Sequence, residues 1–91
     1  MANLTKEILN KFIEDSARRC RLSVASYLEN RASKSYVVLD GTRPITFTEG
    51  GTDLCVFDSR DLAFEEASEY AKGKVVREYD YYVSRGLFKV A

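Results

Sequence analysis

The stretch LTKEILNKFIEDSARRC, residues 4 to 20, constrains the fold of this chain most. Leu4, Ile8, Phe12, Ile13, Ala17 and Cys20 recur with helical spacing, while Lys6, Glu14 and Arg18 fall mostly elsewhere. The pattern predicts a helix, with Asn3 or Thr5 capping its first turn. A lone helix of this length is marginal in water, so its apolar stripe needs a sheet or another helix to cover it. The rest of the chain must supply that layer.

Several segments beyond Cys20 have β character. SYVVLDG predicts a strand over Tyr36 to Leu39, ended by the turn dipeptide Asp40-Gly41. In TRPITFTEGGTDLCVFDS, Ile45 and Phe47 alternate with Thr46 and Thr48, and Gly50-Gly51 permits a tight reversal. Leu54 to Phe57 then reads as the returning strand of a hairpin, and Pro44, the only proline, suits the start of an edge strand. RRCRLSVASYLENRAS has two readings. As a strand, Leu22, Val24 and Leu28 alternate with Ser23, Ala25 and Tyr27; as a helix, Cys20, Val24, Tyr27 and Leu28 share a face. The strand, Arg21 to Leu28, is preferred, paired in a hairpin with SYVVLDG.

A second helix opens at Asp58-Ser59-Arg60-Asp61, where a capping side chain and acids meet the positive end of the helix dipole. Ala63, Phe64, Ala67, Tyr70 and Ala71 form its expected buried face, and Lys72-Gly73 its stop. Beyond it, Val75, Val76, Tyr79, Tyr82, Val83 and Leu87 would allow the helix to continue. Six of the nine residues from Val75 to Val83 are Val or Tyr, however, and such side chains suit a pleated surface. A strand over 75–83, a turn at Ser84-Arg85-Gly86 and a short strand over 87–90 are therefore expected. The sum is one α+β domain over residues 1–91, with an antiparallel sheet of four to five strands and two helices on one face. Its order is α-β-β-β-β-α-β-β.

Composition removes whole classes of function. The chain of 91 residues contains no histidine, and so lacks the usual general base and the commonest metal ligand. Zinc sites built on histidine are excluded, and no cofactor is expected. Neither a dinucleotide-binding glycine motif nor a phosphate-binding loop occurs, and Glu65-Glu66 would be solvated neighbours rather than a catalytic pair. No enzymatic activity is expected. Cys20 and Cys55 lie far apart; a lone bridge between them is one reading, and two reduced, buried thiols the preferred one. No apolar run approaches the roughly 20 residues of a bilayer span, and the charged N-terminal stretch is unlike a signal peptide, so a cytoplasmic protein is expected.

Formal net charge is zero, but the signs are segregated. Arg18, Arg19, Arg21, Arg31 and Lys34 face one acid, Glu29, a net of +4 between residues 18 and 34. Between residues 49 and 69 seven acids meet Arg60 alone, a net of −6. Two surfaces result. Tyr79, Tyr81 and Tyr82 would present rigid aromatic area along an edge strand, with Glu78 and Asp80 on the alternate face opposing nonspecific pairing. Asp61, Glu65 and Glu69, continuing from Asp58, would form an acidic helix face that suits a basic protein surface. The leading expectation is a noncatalytic protein-binding module, acting as a monomer or homodimer. The alternative is a nucleic-acid-binding regulator using Arg18, Arg19, Arg21 and Lys34. ARRCRLSVASYLENR faintly fits a helix-turn-helix, with Ala17, Cys20, Leu22, Ser23 and Tyr27 suitably placed but Arg21 where the turn usually has glycine.

From Ser35 to Val90 the layout resembles that of short proteins encoded by phages and plasmids. A strand ends in Asp-Gly (YVVLDG), a second closes on Phe-Asp-Ser (CVFDS), an Ala/Glu helix succeeds it (DLAFEEASEYAKG), and a β-rich tail ends the chain. Small α+β inhibitors of host defence, anti-CRISPR proteins among them, are similar in size and plan. The resemblance implies an inhibitor or adaptor that occupies a partner's surface without catalytic residues. It is one of layout, with no signature motif, and assigns no functional residue.

Overall fold

The structure, a computed structural model, describes residues 4–48 and 51–87. Helix α1 (Lys6–Arg19) forms as its stripe requires. Thr5 caps it by accepting from the Ile8 amide at 3.2 Å, and Leu9, Ile13 and Ala17 are buried. Strand β1 (Tyr36–Asp40) is the centre of a three-stranded antiparallel sheet, flanked by β2 (Arg43–Pro44) and β3 (Gly73–Arg77). Gly41 takes φ +70° in the two-residue turn between β1 and β2, a conformation that side chains resist. Pro44 lies on the edge strand, where its missing N–H breaks no ladder.

The sheet divides two cores by simple alternation. Val37 pairs with Val76 and faces Leu9, Ile13, Leu28, Leu54 and Tyr82 of the larger core. The next pair, Val38 and Val75, faces Ala63 and Ala67 of helix α3 (Arg60–Ala67). Helices therefore cover both faces of the sheet, not one. α1, α2 (Val24–Asn30) and α4 (Glu78–Ser84) pack on one side and α3 on the other.

One expected strand is a helix instead, and a second becomes one after Arg77. Over residues 21–28 the chain enters α2 from Ser23, whose hydroxyl accepts from the Ser26 amide at 3.1 Å. Val24 is the only β-branched residue between Arg21 and Leu28, so little opposes the cap and the burial of Tyr27 and Leu28. The tail is a strand as far as Arg77 and leaves it there for a tertiary reason. β3 runs only as far as its partner β1, whose first residue Tyr36 lies opposite Arg77. The Glu78 amide then bonds to Ser35 O at 2.9 Å, and α4 begins with Glu78 and Asp80 in its first turn. Packing overrides the strand preference of Val and Tyr. The expected last strand, 87–90, falls largely outside the described residues.

The 45–57 hairpin is present in reduced form. Thr46 bridges Leu54, Tyr36 bridges Phe57, and the Cys55 amide bonds to Ile45 O at 3.2 Å, without a continuous ladder. Among the described residues the expected four to five strands are thus three, with isolated bridges, and the expected two helices are four. α3 begins where the sequence indicates, with Ser59 accepting from the Leu62 amide, but ends at Ala67. Gly73 opens β3 rather than ending α3. A Cβ there would lie 1.9 Å from Ala67 O, so only glycine lets the strand pass beneath the helix end.

Candidate interaction surfaces

The acidic helix face takes its shape from how α3 is held. Only Ala63 and Ala67 are buried on it, so the helix lies close to the sheet and its larger side chains project around the contact. With about 100° per residue, Asp61 and Glu65 fall on the ridge opposite that contact, while Leu62 and Phe64 fall on its two shoulders. Leu62 is 51% and Phe64 50% exposed, although the sequence pattern places Phe64 in the core. The Arg60 guanidinium lies 5.2 Å from the Phe64 ring centroid and holds that ring against the helix. Glu69 is exposed but lies beyond the helix, in the turn after Ala67. Asp58 precedes the cap and lines a different depression, so the four-residue stripe is two residues with separated ends.

The tyrosine ribbon is absent, because these residues are helical. Tyr81 and Tyr82 are 2% and 0% exposed and belong to the larger core. Only Tyr79 reaches a surface, half-buried beside a hollow lined by Ala25, Leu28, Glu29 and Ser33. Glu78, expected on an exposed strand face, is fully buried. Its Oε2 accepts from Tyr27 Oη at 2.8 Å and also from Tyr82 Oη, whereas Oε1 has no partner among the described residues. Burial raises the Glu78 carboxyl above its ordinary value, although both hydroxyls favour its charged form. Tyr27 and Tyr82 are themselves raised, by burial first and by Glu78 second. Glu78 and Tyr82 are one helical turn apart, so the pair is legible only in the helical reading of the tail.

The basic residues are better gathered than the acids. α1 and α2 are joined by Cys20 to Ser23, and Arg21 takes φ +57°, alone among described non-glycine residues in the left-handed region. This is the glycine-like turn position singled out in the sequence, so segment 17–30 is a helix, a turn and a helix. Arg18, Arg19, Arg21 and Lys34 are all exposed; Arg18 pairs with Asp15 at 3.4 Å and Arg19 donates to Ser16 Oγ at 3.3 Å. Beside α1 runs a groove of three adjoining hollows. It extends from Lys11 past Arg18 and Arg19 to Arg31, with Phe12, Ser16, Tyr27 and Val56 along it. Phe47, 72% exposed, stands at the groove, but Asp15, Asp53 and Asp58 also line it, which offsets most of its positive charge.

Cys20 and Cys55 are free and half-buried, and burial raises the Cys55 thiol. Among the described residues no cluster of acids and cysteines could hold a metal ion, and no helix is long and apolar enough to cross a membrane. No family model matches the chain, and neither a curated protein nor a solved structure matches it.

Proposed function

We propose that this chain is a noncatalytic protein-binding module, of inhibitor or adaptor type, that engages a basic partner surface through the outer face of α3. The observation that carries this reading is the combination on one short helix of exposed Leu62 and Phe64 with the acids Asp61 and Glu65 between them. Apolar shoulders supply contact area, and the acidic ridge sets which surfaces are accepted. The helix is fixed to the sheet by two alanines and capped by Ser59, so it presents these groups with little reorganisation. Partner capture from source cells, compared between the native chain and a folded Asp61→Lys/Glu65→Lys variant, tests it. Capture weakened at least tenfold by the reversal, but kept by Arg19→Glu, is the expected outcome. Capture that ignores α3 and fails with Arg19→Glu refutes it.

A second reading has its own observation. The left-handed Arg21 in a four-residue turn between two helices, with Arg18, Arg19 and Lys34 exposed around it, suits a small nucleic-acid-binding regulator. α2 would then approach the groove of a duplex, and the arginines its phosphates. Retention on duplex DNA that falls steeply with salt, and is lost on Arg18→Glu/Arg21→Glu, would favour this reading over the first. The chain's zero net charge weighs against it.

A further inference from the structure

We propose that Glu78 is a proton-controlled latch between α2 and α4: it joins the helices through Tyr27 and Tyr82 at least cost as a neutral acid, and its ionisation destabilises the layer they form. The buried charge costs more than the strengthened hydroxyl bonds return. Two geometric facts lead there. The carboxyl is fully buried, and both of its hydrogen bonds fall on the same oxygen, Oε2, with none on Oε1. A neutral carboxyl has one carbonyl oxygen, which can accept two bonds, and one hydroxyl. The pattern around Glu78 is that of Oε2 as the carbonyl and Oε1 as the hydroxyl. An ionised group would spread its charge over both oxygens and strand half of it, unbonded, in the core, which is the costlier arrangement.

The surroundings contain no compensating cation among the described residues. From α2 the group facing Glu78 is Tyr27, and from α4 it is Tyr82, both through neutral hydroxyls. The cations of the elements packed against α4 are directed elsewhere. Lys34, Lys74 and Arg77 are exposed, and Arg85 donates to Tyr81 Oη and Leu4 O. On the far side of Tyr27 lie Ser16, beside its oxygen, and Cys20, both at the α1 side. Residues Tyr27 and Glu78 are 51 positions apart, so this tie closes the helical layer across most of the chain. It also reaches the surface: Tyr27 and Ser16 line the groove beside α1, and Arg19, at the rim, donates to Ser16. Destabilising this layer therefore destabilises that groove.

The sign of the pH effect is set by burial. Because the folded group holds its proton more tightly than the ordinary value of 4.5, its contribution to stability is complete below that pH. It is lost as pH rises, and the loss ends once the folded group has itself ionised. Urea unfolding of the native chain and Glu78→Gln, from about pH 4 to pH 8, reads this directly. The ratio of their folding equilibrium constants should fall about tenfold per pH unit across the window and then level off. A ratio independent of pH overturns the proposal.

Should Glu78→Gln fail to fold, carbon NMR of the Glu78 carboxyl in the native chain decides the matter. Retention of its proton after a free glutamate has ionised supports the latch, and titration together with free glutamate overturns it. Tyr82→Phe separates a latch from a merely structural contact. Loss of a donor to the charged form should move the Glu78 titration to higher pH. A Tyr82→Phe protein with the Glu78 titration unmoved would overturn the tie through Tyr82.

Discussion

The two faces of the sheet are built on opposite principles. Against Val37 and Val76 lies a deep layer of three helices, where Leu9, Ile13, Tyr27, Tyr81 and Tyr82 are buried together with a carboxyl. Against Val38 and Val75 lies one helix, held by two alanines, whose large apolar side chains point away from the contact. The same residue classes thus do different work on the two sides. Aromatic rings give the helical layer its volume, whereas on α3 the larger apolar side chains add little to the core and remain available to a partner. A single sheet, through the alternation of its side chains, can therefore separate a deeply packed side from a thinly covered one.

The sharpest way to break this contrast is to truncate one ring on each side. Tyr82→Ala should cost about 4 kcal/mol, because it removes a buried aromatic ring and leaves Glu78 with one donor fewer. Phe64→Ala should cost under about 1 kcal/mol, since half of that ring is already in water. Urea denaturation of both variants checks the ratio. Equal losses would mean that α3 is as deeply integrated as α4.

A second test asks whether the thin side depends on close approach. Gly73→Ala puts a methyl group 1.9 Å from Ala67 O, a backbone atom that cannot swing aside. Either β3 or the end of α3 must shift, at a cost of about 3 kcal/mol. Amide exchange should show the loss concentrated in α3, with α1 keeping its protection. Uniform loss would show that the two faces unfold as a unit.

The contrast also explains what can be read from the chain alone. α1, β1, the edge proline and the Ser59 cap are legible because each depends on local pattern: a 3.6-residue stripe, a β-branched run, a ring without an N–H, a hydroxyl before a helix. The tail is not legible. Val75 to Val83 carries both a strand composition and a helical stripe, and the choice is made by where β1 stops pairing, which is information from a distant part of the sequence. Residues 21–28 are not legible either: a strand is the preferred reading, and the faint helix-turn-helix fit is weakened by Arg21, an unusual occupant of the left-handed turn position it takes. The burial of Glu78 is hidden for a similar reason, because its partner Tyr27 lies on an element whose sequence reads as a strand.

Ser59→Ala sharpens the comparison on a smaller scale. The hydroxyl satisfies the Leu62 amide at the start of α3, so its loss should cost about 1 kcal/mol. Thr5→Ala removes the equivalent cap from α1, but there Leu9, Ile13 and Ala17 hold the helix as well. Fraying measured by amide exchange should therefore be greater at the α3 cap than at the α1 cap. The opposite order would place the weaker helix on the three-helix side.

The smallest effect on stability should come with the largest effect on binding. Leu62→Ser/Phe64→Ser replaces two side chains that are half in water and touch little of the core, so stability should fall only slightly, by less than about 1 kcal/mol in total. If α3 is the recognition surface, the same pair supplies the apolar contact area on either side of Asp61 and Glu65, and partner affinity should fall at least tenfold. Stability and affinity measured on one preparation separate the possibilities. A large loss of stability would put these side chains in the core, and unchanged affinity in a stable protein would take recognition off α3 altogether.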